Sequence, residues 1–214
     1  MILSQGRSYV FVHIPKTGGT SLALALEERA MKDDILIGDT PKAVRRRDRV
    51  KTLQSAGRLW KHATLADIDG LVTPQALEEM FVFTLVRNPW DRIVSYYHWL
   101  RAQRFDHPAV SLAQSRDFGG FLEDRATRAS LRDWPAARYV TDARGQERCD
   151  LFIRLEHLAS DIAPLWDHLG FELALPHENR SIREADYRGY YDDRLRDIVG
   201  QCCAADISRF GYEY

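Results

Sequence analysis

Six consecutive residues, Phe81 to Val86 (FVFTLV), place the tightest limit on what this chain can fold into. A half-exposed strand alternates apolar and polar residues, and this run does not, so both of its faces must be covered, as in the middle of a sheet. Tyr9 to Ile14 (YVFVHI), closed by Pro15, and Leu151 to Leu155, after the turn-like DARGQ, read the same way. Asp34 to Gly38 (DILIG) is a shorter fourth candidate. Helical patterns lie between them: LALALEERAM after Ser21, a helix opened by Thr73-Pro74 through about Met80, DRIVSYYHWLRAQ after Asn88-Pro89, HLASDIAPLWDHLG, and a last helix from about Asp192 to Ser208. Strands separated by helices, with no tight hairpin, imply right-handed crossovers. The expectation is an α/β fold with a mainly parallel central sheet and helices on both faces. No linker or repeat interrupts the chain, so residues 1–214 are expected to form a single domain.

With 214 residues, 45% of them apolar, the chain can bury a core without disulfides or metals. Thirty Lys and Arg balance 31 Asp and Glu, which leaves no global field for nucleic acid or an anionic membrane. Anion recognition must therefore be local. Cys149, Cys202 and Cys203 are odd in number and lack metal-ligand spacing, which suits a reducing compartment. The N-terminal MILSQGRSYVFVHIP lacks the pattern of a leader, and no run of 18 apolar residues occurs. A cytoplasmic protein without membrane, nucleic-acid or metal partners is expected. The segment Lys42 to Lys61 carries eight Lys or Arg and one acid, Asp48. It reads either as a solvated face or as a landing strip for an anionic acceptor.

The segment carrying most chemistry is His13 to Leu22, HIPKTGGTSL, between a buried strand and a helix N-terminus. Ligands of open parallel sheets bind beyond the carboxyl ends of the strands, where this loop lies. Gly18 and Gly19 permit close backbone approach, the amides of Thr17 to Ser21 can point at a phosphate, Lys16 adds a mobile charge, and Thr20 and Ser21 add hydroxyl donors. A nucleotide kinase would need its lysine after the second glycine with a hydroxyl beside it for Mg²⁺. Here the lysine precedes both glycines, and the strongest strand ends in Arg87 rather than an acid.

PKTGGTSL after one strand and TLVRNPWDRIVSYY after another resemble the 5′-phosphosulfate and 3′-phosphate motifs of sulfotransferases that use 3′-phosphoadenosine-5′-phosphosulfate (PAPS), in particular carbohydrate sulfotransferases and their bacterial relatives. CDLFIRLEHLASD and the closing ENRS…YY…DISRFGYEY are weaker echoes of the same family. The resemblance implies a sulfotransferase fold of the P-loop NTPase type, with Lys16 at the bridging oxygen or sulfuryl group. It further implies that Thr17, Gly18, Gly19, Thr20 and Ser21 hold the 5′-phosphate and that Arg87 and Ser95 hold the 3′-phosphate. The implied reaction is in-line transfer of a sulfuryl group to a hydroxyl of a carbohydrate or other polar metabolite, an anionic glycan among the options, releasing 3′,5′-adenosine bisphosphate (PAP). Asn179, Arg180 and Ser181 match a loop that closes over the nucleotide only loosely.

Proton removal from the acceptor needs a base, and histidine suits neutral pH. His62 in WKHATLADI resembles the catalytic histidine of a subgroup acting on uronic acid 2-hydroxyls, although Lys61 stands where that subgroup often has glycine. A base that acts when neutral predicts a rate rising with pH through the histidine range. Asp67 or Asp69 is the carboxylate alternative. His13 reads as a residue shaping the loop, and His98 as a neighbour of Ser95 on one helix face. A P-loop small-molecule kinase and a nucleotide-binding module without turnover are the competing functional classes.

Overall fold

The computed structural model describes residues 1–175 and 186–214. They form two compact units, one of residues 1–86 and 136–175, the other of 87–135 and 186–214.

The first unit is built on a five-stranded sheet of order β3-β1-β2-β4-β5. Its strands are β1 (Ile2–Ser4), β2 (Tyr9–Val12), β3 (Ile35–Leu36), β4 (Phe81–Val86) and β5 (Leu151–Arg154). β2, β4 and β5 run parallel, with Val10 opposite Val82 and Phe83 opposite Leu151. Val10, Phe11, Val12 and Phe83 have no exposed surface, as the unbroken apolar runs require. On one face Tyr9, Phe11 and Phe83 meet with ring centroids 5.4 to 5.6 Å apart. Leu22, Ala23 and Leu26 of the helix α1 (Gly19–Glu28) join this cluster, as do Ile162 and Leu165. On the other face Val12, Val82 and Val86 are equally buried, and Thr84 satisfies its hydroxyl there by donating to the Val12 carbonyl at 2.7 Å.

The N-terminal edge departs from expectation. Ile2–Ser4 forms a strand antiparallel to both β2 and β3, joined to β2 by a tight turn in which the Ser8 amide donates to the Gln5 carbonyl. The hairpin was not legible because β1 has three residues, too few for a periodicity, and because its turn places Ser8, not glycine, at a positive φ of 50°. The expected helix after β5 is also divided: a 3-10 turn (Leu155–His157) precedes short helices Leu158–Asp161 and Ala163–Leu169. Pro164, in the first turn of the last of these, lacks the N–H that a continuous helix would need.

The second unit is helical. Its first helix, Pro89–Arg101, buries Trp90, Ile93, Val94, Tyr97 and Leu100, a helical stripe. Tyr97 meets Phe118 and Phe121, ring centroids 5.5 and 5.3 Å away. Caps set the boundaries here: Asn88, Asp117, Asp124 and Asp192 each accept an amide of the helix that follows. The expected last helix is two, Asp193–Cys202 and Ala204–Phe210, separated at Cys203.

Among the described residues no helix is long and apolar enough to cross a membrane, and all three cysteines carry no disulfide.

Candidate active site

The loop between β2 and α1 in the first unit takes a conformation that only a few residue types tolerate. Gly18 caps α1 with φ 84° and ψ 3°, the left-handed region that favours glycine. A Cβ on Gly18 would lie 2.8 Å from Leu155 Cδ1, and one on Gly19 would lie 2.3 Å from His13 Cδ2. The glycine pair therefore lets the chain pass between the buried His13 and the half-buried Leu155 side chains and open the helix immediately. Lys16 also has a positive φ, 64°. For a lysine this is a strained backbone, costing about 1 kcal/mol, and the surrounding loop imposes it.

Thr17 is 1% exposed, and its hydroxyl donates to the Ile14 carbonyl at 2.9 Å. Its side chain is thus a staple of the loop, which leaves its backbone amide as its means of reaching an anion. Gly18, Gly19 and Thr20 bring their amides to the start of a ten-residue helix, where the first N–H groups have no carbonyl four residues back and the helix dipole is positive. Thr20 and Ser21 are half-buried. Glycines that exclude any Cβ, a stapled turn and a helix start form a cradle whose shape and charge suit a phosphate.

His62 lies against this loop. Its Nδ1 is 2.7 Å from the His13 carbonyl oxygen, and the two imidazoles meet with centroids 4.8 Å apart. A carbonyl can only accept, so Nδ1 carries the proton and Nε2 is left with its lone pair, the tautomer a base needs. Burial pushes the His62 imidazole down to about 4, against the raising effect of the His13 carbonyl. This is below the range expected of an ordinary histidine. Burial also holds His13 well below its usual value, with the positive charges of the Met1 amino group and Lys16 among the smaller causes. Lys61, which stands where that subgroup often has glycine, turns its ammonium to Asp39 at 2.6 Å. The Met1 amino group donates to the carbonyls of Ile37 and Lys61, tying the segment before His62 to the sheet.

The carboxylate alternatives differ in availability. One oxygen of Asp67 accepts from both the amide and hydroxyl of Thr64 at 2.7 and 2.9 Å, a turn-capping role, while Asp69 is exposed.

Much of the basic segment is spent on architecture. Lys42 donates to the Glu27 carbonyl, Arg46 to those of Met31 and Asp34, and Arg49 to that of Lys32. These side chains close off the end of α1 and the turn before β3. Arg45, Arg47 and Arg58 remain exposed.

In the second unit, Arg87 follows β4 along the chain and precedes the Asn88 cap. Its Nε and Nη2 donate to Asp91 Oδ2 at 2.9 and 2.6 Å, with both side chains largely shielded. Asp91 thus fixes the orientation of a guanidinium whose fork has further donors. Ser95, two turns on, is 2% exposed. His98 packs edge-on against Tyr190, centroids 5.2 Å apart.

The structure thus brings Lys16, Thr17, Gly18, Gly19, Thr20, Ser21 and His62 together in the first unit and sets Arg87 and Ser95 on one segment of the second. Asn179, Arg180 and Ser181 lie outside the described residues. The His13 carbonyl and the Asp39–Lys61 pair had no signal in the sequence, because each joins segments more than twenty residues apart. Among the described residues no group of three or more His, Cys, Asp or Glu is placed to hold a metal ion.

Mouse sulfotransferase SULT7A1, solved complexed with PAP, superposes on this chain with a TM-score of 0.54 at 15% identity, covering 94% of this chain and 85% of that one. Retinol dehydratase, solved in complex with androsterone and inactive cofactor PAP, gives a TM-score of 0.49 at 16% identity, covering 97% of this chain and 83% of that one. No curated protein sequence matches. The mouse structure establishes a shared fold. A family model described as "Sulfotransferase family" matches residues 1–213, which takes in both compact units and all the motifs above. The chain belongs to the sulfotransferase family, whose members use PAPS as sulfuryl donor.

Proposed function

We propose that residues 1–214 work as one sulfotransferase domain that transfers a sulfuryl group to a hydroxyl of a carbohydrate or other polar metabolite, anionic glycans included, with His62 as the general base. PAPS supplies the sulfuryl group, and its transfer to an alcohol oxygen releases PAP and a proton. The observation that carries the reading is His62 itself, its Nδ1 held on the His13 carbonyl beside the phosphate loop.

The roles follow from the chemistry of each residue. The amides from Thr17 to Thr20, with Ser21 completing the loop, hold the 5′-phosphate, and Lys16 places its ammonium where negative charge grows on the departing phosphate oxygen. Arg87, steadied by Asp91, and Ser95 hold the 3′-phosphate. Nε2 of His62 takes the acceptor proton. A depressed basicity keeps the imidazole neutral throughout the physiological range, so it needs no deprotonation before it acts. The three cysteines without disulfides support a cytoplasmic setting.

An acceptor screen with isotopically labelled PAPS, read by mass spectrometry, tests both activity and substrate. Labelled sulfate esters formed in the presence of EDTA are expected. Turnover that instead needs ATP and Mg²⁺ supports a kinase, and PAP binding without transfer to any acceptor supports a binding module.

A further inference from the structure

Beside the candidate base stands a large side chain that the fold does not use. Trp60 is 43% exposed, yet its indole meets the His62 imidazole edge to face, with centroids 5.1 Å apart at 86°. Among the described residues its Nε1–H has no hydrogen-bond partner. The Arg58 guanidinium sits 5.9 Å from the indole centroid, is exposed, and is paired with no carboxylate among the described residues. On the same segment Lys61 is held by Asp39, and Arg46 and Arg49 by backbone carbonyls; Arg45 and Arg47 are exposed like Arg58, but only Arg58 stands against Trp60.

The contact leaves 43% of Trp60 open beside the half-buried His62 imidazole, within reach of whatever approaches that ring. An aromatic surface takes the C–H face of a saturated ring, and an unpaired guanidinium takes a carboxylate or sulfate through its fork of donors. We propose that Trp60 and Arg58 determine acceptor specificity: Trp60 receives the ring of a sugar and Arg58 its anionic substituent, presenting a ring hydroxyl to His62. This rests on His62 being the base. It names the acceptor class as an anionic sugar rather than a neutral one or a phenol.

The test is saturation-transfer NMR on the PAP-saturated full chain with three probes, methyl β-glucuronide, methyl β-glucoside and 4-hydroxybenzoate. The glucuronide should bind about tenfold tighter than the glucoside, and Arg58→Gln should erase that difference, as loss of a charge-assisted bond predicts. Trp60→Ala should weaken both sugars by about tenfold, with Trp60→Phe retaining most of the affinity because it keeps an aromatic surface. Equal binding of the two sugars, binding of neither, or 4-hydroxybenzoate alone would each overturn the assignment. His62→Asn should leave all three results standing. Retained turnover in that variant would remove the base assignment while the sugar preferences still report on Trp60 and Arg58, so the two readings fail separately.

Discussion

His62 Nδ1 and the backbone carbonyl of His13 are 2.7 Å apart, and this one hydrogen bond joins the proposed base to the loop that would hold the donor phosphate. Through it, the position of His62 depends on the backbone at the end of β2, and Nε2 keeps its lone pair whatever the acceptor. His62→Ala should lower turnover by about 10² to 10⁴ with PAP affinity nearly unchanged. His62→Asn should not restore the rate, since an amide holds a hydrogen bond but takes no proton. Steady-state kinetics beside a PAP titration decide this; rates within a few-fold of wild type in both variants would send the search to Asp69.

The pH profile should be shifted from that of an ordinary histidine. With His62 titrating at about 4, kcat/KM should be flat from pH 6 to 8 and decline only as pH falls toward 4. A midpoint near 6.5 would show an imidazole more hydrated than the structure describes.

Stability carries the same signature. Both His13 and His62 are held below their usual values by burial, so between the unfolded value of about 6.5 and the folded one the unfolded chain binds more protons. Stability from these groups is full above about pH 6.5 and is lost as pH falls to about 4, where His62 protonates in the folded state too. Denaturant midpoints measured across this window should fall with pH, and less steeply in His62→Gln.

Lys16 combines a strained backbone with a charge. Lys16→Ala should reduce kcat more than PAPS affinity, because a charge aimed at a leaving oxygen gains most of its value in the transition state. Lys16→Gly should lose the same activity yet raise stability by about 1 kcal/mol relative to Lys16→Ala, since glycine accepts the left-handed φ. Equal stability of the two variants would show that the loop relaxes around residue 16.

Arg87→Ala should weaken PAP binding by about 100-fold, as expected of a charge-assisted, shielded contact rather than an exposed ion pair. Asp91→Asn should weaken it less, because the guanidinium stays and only its orientation is loosened. Isothermal titration gives both constants, and unchanged affinity in Arg87→Ala would remove this residue from the 3′-phosphate.

The parallel strands were legible because Tyr9–Val12, Phe81–Val86 and Leu151–Arg154 are apolar on both faces, and their bounds follow within two residues. The loop at Lys16 to Ser21 was legible because its glycines and lysine are contiguous. What escaped depends on distance along the chain or on strand brevity: the β1 hairpin, the His13 carbonyl that fixes the His62 tautomer, and the use of Arg46 and Arg49 as carbonyl caps rather than an anion track. Thr17 illustrates the limit within a readable motif. Its place in the loop was evident, but that its hydroxyl turns inward to Ile14 was not, since both directions satisfy the same sequence.

That inward turn has a kinetic consequence. The Thr17–Ile14 bond and the close passage of Gly18 and Gly19 by Leu155 and His13 lie wholly within the chain, so the loop draws its shape from the fold. A preformed receptor gives up little conformational entropy on capture and has no closing step of its own to wait for. Variants that unpin the loop, such as Thr17→Val, should therefore release PAP sooner while capturing it almost as fast.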